Sequence, residues 1–165
     1  MKIYTRYLPN EAALQSLGEN LSLLIKSPLH IYLSGPLGAG KTTLVRSYLR
    51  ALGVQGAIKS PSYALFEPYS FSNFSVYHFD FYRFFDQNEW VDSGFRDYFE
   101  EPAICWVEWP ERADGLLPHA DVEISLSYQL DHSVLLDANF GGRHVEIRGH
   151  SPIGMVLVEH LIEQQ

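Results

Sequence analysis

One cysteine, Cys105, occurs in the 165 residues, which excludes an intramolecular disulfide and a cysteine-based zinc site. It lies in the apolar run Ile104–Val107 and reads as a buried structural thiol. Basic residues are also few. Twelve Lys and Arg stand against 20 Asp and Glu, a formal net charge of -8. Tight direct binding to nucleic acid needs Lys and Arg at the phosphates, so that class is disfavoured. No uncharged apolar run approaches membrane-spanning length, and the opening Met-Lys-Ile-Tyr-Thr-Arg has no signal-peptide core. The expectation is a soluble cytoplasmic protein with no membrane contact. The seven histidines are scattered, without ligand spacing, which argues against a histidine metal site. Repeats, low-complexity tracts and linkers are missing too. The remaining composition, 46% hydrophobic, fits a single domain over residues 1–165.

Against that background, Gly35 to Thr43 stands out. It reads Gly-Pro-Leu-Gly-Ala-Gly-Lys-Thr-Thr and fits G-x-x-x-x-G-K-[ST]. A short β-prone run, Leu29 to Leu33, precedes it. Leu44, Val45, Tyr48, Leu49 and Leu52 then share one helical face before Gly53. Strand, glycine loop and helix form a phosphate-binding unit. Its glycines let backbone N–H groups turn toward an anion, and the helix start adds its dipole. Lys41 is expected to reach the β- and γ-phosphates, and the Thr42 hydroxyl to ligate Mg²⁺. Gly35, Pro36, Leu37, Gly38, Ala39, Gly40, Lys41, Thr42 and Thr43 are the expected nucleotide-binding positions.

Two apolar runs end in acids: Val76 to Asp80 and Ile104 to Glu108. In open α/β sheets the strand ends face the ligand crevice. Either acid is expected to hold Mg²⁺, directly or through water, while the other orients the attacking water. Alternation puts His78 on the face of Asp80, as a packing or supporting residue. Trp106 and Trp109 are expected on opposite faces, Trp106 in the core and Trp109 beside the nucleotide or a partner. Lys59 to Tyr63 reads as a turn by spacing alone.

The remaining pattern predicts a first strand over Lys2 to Leu8 and a helix over Glu11 to Ile25, capped by Asn10. Strands are expected over Ala64 to Tyr69, Asp121 to Tyr128, Ser133 to Leu136 and His144 to Ile147. Short helices fall in Asp86 to Glu101, and Pro110 to Pro118 reads as a loop. A last helix begins at Ser151-Pro152, with Val156, Leu157, His160 and Leu161 inward. The fold class is α/β: a P-loop NTPase-like three-layer fold with a mixed, mainly parallel sheet.

Together with the phosphate loop, Lys59-Ser-Pro-Ser-Tyr, Tyr77-His-Phe-Asp-Phe-Tyr-Arg83, Gly94 to Phe99 and Val107-Glu-Trp-Pro-Glu-Arg112 resemble the bacterial TsaE (YjeE) family, in order from about residue 10 to about 130. The resemblance implies an ATPase required for threonylcarbamoyl modification of adenosine 37 in tRNAs reading ANN codons. It implies ATP and Mg²⁺ as cofactors. It also implies a TsaB–TsaD transferase complex as partner, with tRNA reached only indirectly. By position, Lys41, Asp80 and Glu108 are implied to be catalytic, with Thr42 and Glu108 on the metal and Asp80 supporting water activation or the metal. Lys59 to Tyr63 becomes a switch segment, and the Asn10-Glu11 stretch, with Glu11, lies near adenine. Ala64 departs from the family's threonine.

Three other functions fit a phosphate loop. A small-molecule kinase usually carries an arginine-rich lid, whereas Arg83, Arg96 and Arg112 are dispersed here. A GTPase needs Asp-x-x-Gly and Asn-Lys-x-Asp, and neither occurs. A nucleotide sensor would bind without turnover.

Overall fold

The computed structural model describes residues 1–128 and 141–164. Seven strands form one sheet: β1 (Lys2–Leu8), β2 (Leu29–Ser34), β3 (Phe66–Ser70), β4 (Ser75–Asp80), β5 (Ile104–Glu108), β6 (Val122–Tyr128) and β7 (Arg143–Gly149), in the order β1-β7-β6-β2-β5-β4-β3. The central strands β6, β2, β5 and β4 run parallel, and β7, β1 and β3 pair antiparallel at the flanks. The ends of β2, β4 and β5 therefore open on one edge of the sheet, where ligand crevices form in open α/β sheets.

Alternation along the strands feeds two cores. Ile31, Leu33 and Trp106 face one side, where α1 (Glu11–Leu24), α2 (Lys41–Ala51) and α5 (Pro152–Glu163) supply Leu17, Leu44, Val45, Leu157 and Val158. Tyr32, Phe79, Cys105 and Val107 face the other, an aromatic core closed by Trp90 of α3 (Gln87–Asp92) and Phe95 and Phe99 of α4 (Phe95–Glu100). This is the expected three-layer architecture. Burial from both sides explains why β5 reads as one continuous apolar run.

The caps form as expected. Asn10 Oδ1 accepts from Ala13 N at 2.9 Å, and Ser151 Oγ accepts from Gly154 N at 3.2 Å, with Pro152 at the first helical position.

Four local expectations differ. β3 begins at Phe66 because Leu65 adopts φ 62, which extended backbone does not allow. Pro110–Ala113 forms a turn of 3₁₀ helix. β5 stops at Glu108 and Trp109 has φ 57, so strand alternation does not set the direction of Trp109. On α5, Val156 and His160 are exposed, and the buried stripe is Gly154, Leu157, Val158 and Leu161. Gly154 decides that face: a Cβ there would lie 2.0 Å from Asp121 O, so only glycine lets the helix seat this closely. The strand expected over Ser133 to Leu136 lies outside the described residues. Among the described residues, no helix is long and apolar enough to cross a membrane.

Candidate functional site

The loop between β2 and α2 turns through three glycines with positive φ, at 35, 38 and 40. Gly35 is the most constrained. Its φ is 136, and a Cβ would stand 2.2 Å from Leu126 O on β6. α2 starts at Lys41, directly after Gly40, so its first N–H groups face the loop's cavity. Lys41 Nζ donates to Gly35 O at 2.6 Å and Pro36 O at 2.9 Å, and lies 4.0 Å from the centre of the Trp109 ring. Burial holds the Lys41 ammonium below its usual pKa, opposed by the charges of Glu108, Glu111 and Asp80.

Across the crevice, the parallel register pairs Asp80 of β4 with Glu108 of β5. Both are almost fully buried, and both face the α2 side of the sheet. Glu108 accepts from Thr42 Oγ1 at 2.9 and 3.0 Å, one contact to each oxygen. Its Oε1 also lies 2.8 Å from His78 Nε2, and a donating Nε2–H completes that contact. Asp80 Oδ1 accepts from Tyr82 N at 3.0 Å, and Oδ2 accepts from Ser60 Oγ. Burial raises the Asp80 pKa above its ordinary value and the Glu108 charge adds to this, while the Ser60 and Tyr82 hydrogen bonds oppose it.

Two non-glycine residues with positive φ border this arrangement. Leu65 O accepts from Asp80 N at 3.0 Å, fixing the end of β4. Trp109 turns its ring over Lys41 immediately after Glu108. Backbone in such sparsely populated conformations persists where the surroundings over-determine it.

Together these groups line a cavity of about 530 Å³, a size in the range of small-molecule sites. Of the positions expected from sequence, Leu37, Gly38, Gly40, Lys41, Thr42, Thr43, Asp80 and Glu108 line it. Gly35 and Pro36 meet the site through carbonyls that accept from Lys41, and Ala39 is buried beneath the loop. Glu11 stands apart on the exposed first turn of α1, where it accepts from Gln15 Nε2. From the Lys59 to Tyr63 stretch, Ser60 and Ser62 line the cavity, while Tyr63 points outward with the Arg83 guanidinium 4.3 Å from its ring centre. Sequence reasoning missed Tyr82 and Arg83 as lining residues. Their place directly after the β4 acid was the available signal. It also missed Tyr128 and Arg143, which touch the loop from β6 and β7 and carry no local signal.

Among the described residues, no three His, Cys, Asp or Glu side chains gather as a metal cluster. One hydroxyl and one carboxylate beside a phosphate loop suit Mg²⁺ instead, which takes most of its shell from phosphates and water. The site has the parts to cradle a polyphosphate, neutralise part of its charge and orient a water beside it.

Comparison with known proteins shows the family of the chain. Residues 8–134 match the family model described as "Threonylcarbamoyl adenosine biosynthesis protein TsaE". The tRNA threonylcarbamoyladenosine biosynthesis protein TsaE of Haemophilus influenzae is 41% identical over 136 residues, covering 79% of this chain and 86% of that protein. The protein of the same name from Treponema pallidum is 32% identical over 114 residues, covering 69% and 84%. Bacillus subtilis YdiB, a solved crystal structure, shares the fold with a TM-score of 0.74 at 22% identity, over 99% of this chain and 96% of that one. The chain belongs to the TsaE family, whose place is in tRNA threonylcarbamoyladenosine biosynthesis.

Proposed function

We propose that the chain binds ATP with Mg²⁺ and hydrolyses it during threonylcarbamoyl modification of adenosine 37 in tRNAs reading ANN codons. It acts on a TsaB–TsaD transferase complex in the cytoplasm and does not transfer the group itself. The observation that carries this reading is the convergence of Thr42 Oγ1 on both oxygens of Glu108 at the mouth of the phosphate loop. A hydroxyl and a carboxylate at this spacing, one on the loop's helix and one at a neighbouring strand end, suit a phosphate-bound Mg²⁺. Family membership supplies the pathway. The net charge of -8 favours protein partners over direct contact with tRNA.

Each group has a task in this reading. Amides of the glycine loop and of the first turn of α2 hold the phosphates. Lys41 exchanges the Gly35 and Pro36 carbonyls for phosphate oxygens, and the Trp109 ring covers its ammonium from water. Thr42 and Glu108 hold Mg²⁺, which when bound offsets charge on the phosphate oxygens. Asp80, oriented by Ser60 and the Tyr82 amide, positions the attacking water through its remaining lone pairs.

Nucleotide binding by Lys41→Ala and Thr42→Ala, titrated calorimetrically with and without Mg²⁺, tests the assignment. Lys41→Ala is expected to weaken ATP binding, and Thr42→Ala to remove its dependence on Mg²⁺. Unchanged affinity and metal dependence in both would refute the site.

A further inference from the structure

The phosphate loop is held from behind by two side chains that neither its motif nor the proposed chemistry uses. Arg143 is 3% exposed, a buried arginine at the start of β7. Its Nε donates to Ala39 O at 2.9 Å and its Nη2 to Gly38 O at 3.3 Å. The same guanidinium donates to Gly141 O and lies 4.5 Å from the centre of the Tyr128 ring. Tyr128 pairs directly with Arg143 across β6 and β7, and its hydroxyl donates to Leu37 O at 2.8 Å. Three consecutive loop carbonyls are thus drawn toward the β6–β7 pair.

Every peptide bond in the described chain is trans. In a trans peptide the C=O and the following N–H point in opposite directions. Holding the Leu37 and Ala39 carbonyls back therefore turns the Gly38 and Gly40 amides forward. Gly38 and Gly40 line the cavity, and Ala39 does not. The Ala39 amide is taken by Pro36 O at 3.1 Å, so the intervening unit closes the loop's own turn. The Arg143 charge also lies directly behind an anion site, where it adds to the attraction.

We propose that Arg143 and Tyr128 are positioning residues that aim the Gly38 and Gly40 amides at the phosphates. Tyr128 lies within residues 8–134, the stretch that matches the family model, and Arg143 lies beyond it, so one half of the brace comes from outside that stretch. The inference rests on the reading of the loop as the ATP site.

The experiment compares the full chain with Tyr128→Phe and Arg143→Lys. Tyr128→Phe removes one hydroxyl. Arg143→Lys keeps the charge and loses the planar fork that reaches two carbonyls at once. Circular dichroism checks folding, calorimetry measures ADP affinity, and ¹H–¹⁵N spectra of the nucleotide-free protein report the Gly38 and Gly40 amides. The expected result is a loss of ADP affinity of about five- to tenfold in each folded variant, the size of one or two lost hydrogen bonds, with both glycine amide resonances displaced. Affinity within about twofold of the unsubstituted chain, with those resonances in place, would overturn the proposal. Should Arg143→Lys fail to fold, Tyr128→Phe decides on the same criteria. An unsubstituted chain that does not bind ADP would overturn the ATP-site reading itself, whereas binding that is equal in all three proteins removes only the brace.

Discussion

His78 and Glu108 stand on neighbouring strands of the sheet with Nε2 and Oε1 2.8 Å apart, both almost wholly shielded from water. Oε1 of Glu108 thus meets both His78 and Thr42 Oγ1, while Oε2 accepts from Thr42 Oγ1. Among the described residues His78 Nδ1 has no hydrogen-bond partner, and Nε2 makes the polar contact of this buried ring.

His78→Leu leaves Glu108 short of a buried partner. Removing one member of such a pair costs roughly 1–3 kcal/mol, more when the group left behind is charged. Urea unfolding is expected to show a loss of that order, with part of it restored in His78→Gln, whose amide can donate to the same oxygen. Equal stability of His78→Leu and the unsubstituted chain would show that the contact contributes nothing.

Asp80 gives a pH-dependent prediction. Its pKa is raised in the folded chain, chiefly by burial, so folding favours the protonated form. Between its ordinary and its folded value the native state holds more proton than the unfolded state, and stability falls as pH rises through that window. The penalty is complete above the folded value and relieved below the ordinary one. Asp80→Asn is therefore expected to raise Tm at neutral pH, with the gain shrinking as pH falls toward about 4. A Tm gain independent of pH, or a lower Tm at neutral pH, would contradict the burial argument.

Cys105 is fully buried on β5, and its thiol pKa is pushed up to about 12, first by burial and then by the Glu101 charge. The thiolate is the reactive form, so native protein at neutral pH is expected to resist an aromatic disulfide reagent. Modification should follow the rate of unfolding and become stoichiometric in denaturant. Complete labelling of the native chain within minutes would show that the β5 core opens readily.

Local chemistry made much of this legible in advance. The phosphate loop, its strand and its helix are contiguous in sequence, and the acids of Asp80 and Glu108 close apolar runs whose ends a parallel sheet brings side by side. Long-range contacts were not legible. Thr42 and Glu108 are 66 residues apart, and Arg143 reaches Ala39 over 104. Nothing in the Arg143 neighbourhood announces the register that pairs it with Tyr128. α5 shows the same limit on a smaller scale: Val156 and Val158 are both apolar, and the close seat of Gly154 on Asp121 O turns Val158 inward. Glu11, linked to adenine by resemblance alone, stands outside the lining of the cavity.

The most direct test of the central claim is the ATP hydrolysis rate of the purified chain, measured alone and with the matching TsaB and TsaD proteins. The account predicts a low rate alone, a strong rise with both partners, and a loss of about 100-fold or more in Glu108→Gln. A rate indifferent to the partners, or unaffected by Glu108→Gln, would contradict it.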